Sequence, residues 1–63
     1  MTTPKMVQNL IKQGYTVILY TDADEEFTLT VIDKNGNETH EDLPITKADK
    51  QFYKAAGAKI KRS

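Results

Sequence analysis

No cysteine stands among these 63 residues, and histidine occurs once. The first absence excludes disulfides and thiolate zinc sites, and the second removes the common histidine-rich metal sites. Arginine is nearly missing as well: Arg62 is the only one among nine basic residues. Arginine makes the commonest specific contact to a base edge, so sequence-specific reading of DNA is poorly supplied. No apolar run approaches the roughly 18 residues of a membrane span. The opening Met1-Thr2-Thr3-Pro4-Lys5 has no apolar segment behind a basic flank, so no signal peptide is read. The expectation is a cytoplasmic protein with no membrane association, and the lack of cysteine fits a reducing compartment.

A chain of this length buries only about 60% of its unfolded surface. With disulfides and metals set aside, the remaining supports are a compact core or self-association. The apolar fraction is 38% and the charged fraction 29%, yet the apolar residues are clustered and patterned, unlike those of a disordered chain.

The densest cluster runs from Tyr15 to Asp33. Tyr15-Thr16-Val17-Ile18-Leu19-Tyr20 and Phe27-Thr28-Leu29-Thr30-Val31-Ile32 are rich in β-branched and aromatic residues, and read as two strands of a hairpin. Alternation puts Val17, Leu19, Phe27, Leu29 and Val31 on a core face. Ile18, Tyr20 and Ile32 fall on the second face, as a smaller patch that is a candidate protein-binding surface. Asn35-Gly36 predicts a two-residue type I′ turn into a third strand. That strand, from Glu38 to Leu43, is polar almost throughout and reads as a charged edge.

Helices are expected on both flanks. Thr3 is a plausible N-cap with Pro4 at the first helical position. Met6, Val7, Leu10 and Ile11 then share a face, and Gly14 falls where a left-handed residue would end the helix. After Pro44, Thr46 and Asp49 approximate a capping box. Ala48, Phe52, Ala55 and Ala56, with Tyr53 as a further candidate, form the inward stripe of a second helix, and Gly57 reads either as its terminator, the preferred reading, or as an interior glycine. The predicted architecture is a small α+β domain of order α-β-β-β-α, a three-stranded antiparallel meander with two helices packed on one face. The expected bounds are helices over about 3–13 and 46–56, strands over about 15–21, 26–33 and 38–43, and a basic tail over 57–63. The core is expected to hold Val7, Leu10, Ile11, Val17, Leu19, Phe27, Leu29, Val31, Leu43, Ile45, Phe52, Ala56 and Ile60.

Net charge is zero, but its distribution is uneven. Residues 1–21, 22–42 and 43–63 sum to +2, −7 and +5. Asp22, Asp24 and Glu26 resemble half of a calcium loop, but the required glycine and bidentate glutamate are missing. His40 sits on the polar edge between Glu38 and Asp42 with nothing to enclose it, so acid–base catalysis lacks its pocket. No nucleophile elbow, phosphate-binding glycine loop or metal-binding helix motif occurs. No cofactor is expected, and an enzyme is the least expected class.

Lys47, Lys50 and Lys54 share one face of the second helix, and Lys59, Lys61 and Arg62 extend it. Such a stripe could neutralise phosphates, with Tyr53 stacking on a base if it points outward. A lysine face that merely solvates a helix is the simpler reading, and the acidic middle would repel a phosphate backbone. The favoured expectation is a small non-enzymatic interaction module that binds and modulates a protein partner, an accessory-type protein of bacteria or phages. Nucleic-acid binding through the lysine face is the alternative, and a homodimer is a third possibility.

Overall fold

The computed structural model describes residues 2–22 and 26–62. Its elements are α1 (Pro4–Lys12), β1 (Thr16–Thr21), β2 (Phe27–Ile32), β3 (Glu38–Leu43), α2 (Lys47–Ala55) and β4 (Lys59–Arg62). The strands form one sheet in the order β3-β2-β1-β4. β1 pairs antiparallel with β2 and β2 with β3, while β4 lies parallel to β1. The fold is α+β with two helices, and the sheet is four-stranded and mixed. The purely antiparallel three-stranded meander is corrected accordingly. No helix among the described residues is long and apolar enough to cross a membrane.

The correction comes from the segment expected to be a tail. Gly57 does end α2. Its φ of +111° allows Gly57 N–H to donate to the Lys54 carbonyl at 3.0 Å and Ala58 N–H to the Tyr53 carbonyl at 3.1 Å. These two bonds are the Schellman arrangement, and they turn the chain back along the sheet. Ala58 and Ile60 then face the core while Lys59 and Lys61 face away, the period-two alternation of a strand. α2 thereby carries the chain from one edge of the sheet to the other, where β4 pairs the edge of β1 that a meander would leave open.

α1 is built the same way. Thr3 Oγ1 accepts from Met6 N–H at 3.3 Å, and Gly14 at φ +94° ends the helix with the same pair of bonds. The β2–β3 turn differs from the type I′ expectation. Gly36 N–H donates to the Asp33 carbonyl and Asp33 N–H to the Asn37 carbonyl. The central residues are therefore Lys34 and Asn35, and Gly36, at φ +88°, follows them as a bulge. The Asp33 carboxylate accepts from the Asn37 N–H at 2.9 Å and the Asn35 N–H at 2.8 Å. Those donors, Asn37 foremost, hold its pKa below the ordinary carboxylate value.

Val7, Val17, Leu19, Phe27, Leu29, Leu43, Tyr53 and Ala58 form the buried core, with Leu10, Ile11, Val31, Ile45, Ala56 and Ile60 packed against it. Phe52 is the exception to the expected core. It is 56% exposed, and its neighbour Tyr53 takes the inward position at 2%. A buried tyrosine needs a partner for its hydroxyl. Tyr53 donates to the Thr2 carbonyl at 2.8 Å. Thr2 in turn donates its N–H (2.7 Å) and hydroxyl (3.0 Å) to the two carboxylate oxygens of Glu41 on β3. One residue before α1 thus joins α2 to the far edge of the sheet.

Candidate functional site

α1 packs Val7, Leu10 and Ile11, and α2 packs Tyr53 and the following Ala56, against the face that carries Val17, Leu19, Phe27 and Leu29, while Met6 and Phe52 stay exposed. Among the described residues, no helix or strand lies over the other face. The strand register sets its side chains in rows. One row runs Glu38, Ile32, Thr16; the next His40, Thr30, Ile18, Lys59; the third Asp42, Thr28, Tyr20, Lys61.

The second and third rows are imidazole-bearing or acidic on β3, small and hydroxylated on β2, and larger and apolar on β1, whereas the first reverses the last two, with Ile32 on β2 and Thr16 on β1. The two rows that reach β4 end there in lysine. Three strand spacings separate the two edges, roughly 15 Å. The segregation of charge along the chain therefore becomes a segregation in space across one surface.

The middle of this face is tightly filled. Thr30 is 1% exposed, and its hydroxyl lies 2.9 Å from His40 Nδ1, a bond across β2 and β3 that satisfies it. Thr28 Oγ1 donates to Asp42 Oδ1 at 3.5 Å in the next row. Ile18, one of the three candidate contact residues, is 7% exposed and lies beneath its neighbours. Tyr20 and Ile32 remain half-buried, with part of each side chain at the surface. The structure therefore gathers Ile18, Tyr20 and Ile32 on one face, with Tyr20 and Ile32 as its accessible members.

Beside Tyr20 lies a groove of about 440 Å³. Thr28 and Thr30 form its floor, Tyr20 one wall, and Glu38 and His40 the other, with Asp22 and Glu26 at its end. A second concavity of about 560 Å³ lies at the end of β2 and β3, over Phe27, Leu43 and Ile45. Among the described residues, no group of three His, Cys, Asp or Glu is placed to hold a metal ion. The calcium reading of Asp22, Asp24 and Glu26 rests partly on residues 23–25, which lie outside the described residues.

The six basic residues do not make one stripe. Lys47 and Lys54 are exposed on α2 and Lys50 is half-buried there. Lys59 and Lys61 point from the opposite face of the sheet, and Arg62 alternates back toward the helix side. Extension of the helix stripe by the chain's end is thus corrected, because the end is a strand and sends its lysines the other way. Tyr53 is unavailable for stacking on a base. Its burial pushes the hydroxyl pKa above the ordinary tyrosine value, with the charges of Asp49 and Glu41 adding to the effect.

Glu41 was indistinguishable in sequence from the other carboxylates of the acidic middle. It faces the helices, and the Thr2 donors lower its pKa from the usual glutamate value. Alternation along β3 was the available signal, since Glu41 shares a side with Leu43. No protein-family model, curated protein or solved structure matches this chain.

Proposed function

We propose that this chain is a non-catalytic interaction module that binds and modulates a protein partner through the helix-free face of its sheet. The observation that carries the reading is the asymmetry of packing. One face is sealed by two helices, while the other presents Tyr20 and Ile32 on its two inner strands, with carboxylates on β3 and ammonium groups on β4. A central aromatic inside a polar rim is the usual anatomy of a protein interface. The charge layout adds orientation, because a partner of matching polarity docks one way round.

The test compares wild type with a Tyr20→Ala/Ile32→Lys variant as immobilised baits in extract of the native host. Circular dichroism first establishes that both are folded. A protein retained by wild type and lost by the variant is the expected result. Identical retention by the two baits would overturn the reading. The phosphate-binding alternative predicts something else: retention on heparin at low salt, abolished by Lys47→Glu/Lys50→Glu/Lys54→Glu and untouched by changes at Tyr20.

A further inference from the structure

We infer that the occupant of the helix-free face is a second copy of this chain, packed face to face about a two-fold axis parallel to the strands. The inference rests on the proposed role of that face in binding and names the partner. Two-fold pairs are the commonest closed assemblies, and their interfaces must be self-complementary. Two orientations of the axis bring these faces together with their strands aligned. An axis lying across the strands sets β3 over β3 and β4 over β4, so carboxylates oppose carboxylates and lysines oppose lysines. An axis along the strands sets β3 over the partner's β4 and β1 over the partner's β2.

Charge and shape select the second axis. It places Asp42 over the partner's Lys61, twice by symmetry, since both residues end the same row. The same rotation brings Tyr20 over the partner's Thr28, which floors the groove. Each copy thus supplies an aromatic knob and a hole with a threonine floor, and the two exchanges are equivalent. Aligned sheets in contact by their faces are an ordinary β-sandwich arrangement, about 10 Å apart.

One row works against it. Asp22 and Glu26, at the end of the groove, come over the partner's Glu26 and Asp22. That repulsion, together with the size of the face, sets the strength. Four strands about 4.8 Å apart and six residues at about 3.3 Å make a patch of roughly 15 by 20 Å. This falls short of the ~800 Å² per partner of a standard stable interface. The dimer is therefore weak and concentration-dependent, and Glu26→Gln tightens it.

Sedimentation equilibrium over a hundredfold range of concentration tests this. Wild type is expected to climb from the mass of one chain toward that of two. Asp42→Lys and Lys61→Glu are each expected to stay at one chain, because each opposes like charges twice. An equimolar mixture of the two is expected to dimerise, because both pairs then become complementary; recovery also shows that neither variant is misfolded. Wild type fixed at one chain, Asp42→Lys pairing as wild type does, or no recovery in the mixture would overturn the inference. Growth past two chains would overturn it too, in favour of head-to-tail pairing of the acidic β3 edge with the basic β4 edge. If wild type stays at one chain while Tyr20→Ala/Ile32→Lys still loses a captured protein, the self-pairing fails and the interaction module stands. If nothing is lost either, both fail.

Discussion

α1 and α2 are each nine residues long, each preceded by a threonine cap, and each leads through a left-handed glycine into a strand. The two strands that follow, β1 and β4, lie side by side and parallel. Their surroundings differ. β1 is a central strand paired on both sides, and Val17 and Leu19 are buried in it. β4 is a four-residue edge whose single inward apolar side chain is Ile60. The caps differ as well. Thr3 uses its own hydroxyl to receive an amide, whereas Thr46 is gripped by Asp49, whose carboxylate accepts the Thr46 N–H at 3.2 Å and its hydroxyl at 3.1 Å. The same local device thus serves two ends: the first unit builds the core, and the second closes the edge of the first.

The sharpest way to break that comparison is to remove the second strand. A chain ending at Ala58 loses the pairing along β1 and the packing of Ile60. A domain this small has little stability in reserve. Thermal denaturation followed by circular dichroism is expected to show no cooperative transition. A melt within a few degrees of the full chain would return the segment to the status of a tail.

Substitution within α2 separates its two adjacent aromatics. Tyr53→Ala is expected to cost about 3–5 kcal/mol, as for other large buried aromatics. Phe52→Ala is expected to stay within about 0.5 kcal/mol, since that ring is largely in solvent. Urea titration of the two variants measures both, and a larger loss at Phe52 would contradict the packing described.

The glycines give a finer contrast. Any side chain at Gly14 or Gly57 meets the left-handed backbone, at about 1–2 kcal/mol. A Cβ at Gly57 would also fall 2.8 Å from Ile11 Cδ1, in the contact between the two helices, whereas at Gly14 it would meet the flexible end of Lys34 at 3.2 Å. Gly57→Ala is therefore expected to be worse than Gly14→Ala by about 1–3 kcal/mol. Equal losses would mean that Ile11 moves aside freely.

The smallest effect concerns the clasp at Thr2, which ties α2 to β3 through Tyr53 and Glu41. The folded pKa of Glu41 is lowered, so its contribution is present above the unfolded value of about 4.5 and is lost as pH falls through the folded value. Stability measured from pH 6 to pH 3 is expected to decline less steeply in Glu41→Gln than in wild type. Superimposable profiles would show that the clasp carries no pH-linked stability.

Much of this was legible from local signals. The cap at Thr3, the stop at Gly14 and the alternation of Phe27, Leu29 and Val31 each act within a few residues, where sterics and hydrogen bonding leave few choices. At the candidate site, alternation alone placed Ile18, Tyr20 and Ile32 on one face. It could not show that Ile18 is covered by neighbours in its row, because that depends on which strands flank it. Lys59 and Lys61 continue the basic run of the helix lysines in sequence, and a run of like charges holds no record of which way each side chain points. Ala58 and Ile60 carried the opposite signal, but two alternating apolar residues are too few to define a strand without an edge to receive them.

The sequence by itself determined the kinds and order of the first five elements, the cap and the stop of α1, and the polarity of the chain from an acidic middle to a basic end. Tertiary structure decided the rest. It chose Tyr53 over Phe52 for the core, because the packing of α2 sets which side of the helix faces inward, and it gave the buried hydroxyl the Thr2 carbonyl as its partner. It took Glu41 out of the acidic surface. It turned a basic tail into β4, because β1 presents unpaired amides and carbonyls that only a distant segment could meet. These are contacts between residues far apart in the chain, and local pattern holds no record of which of them will form.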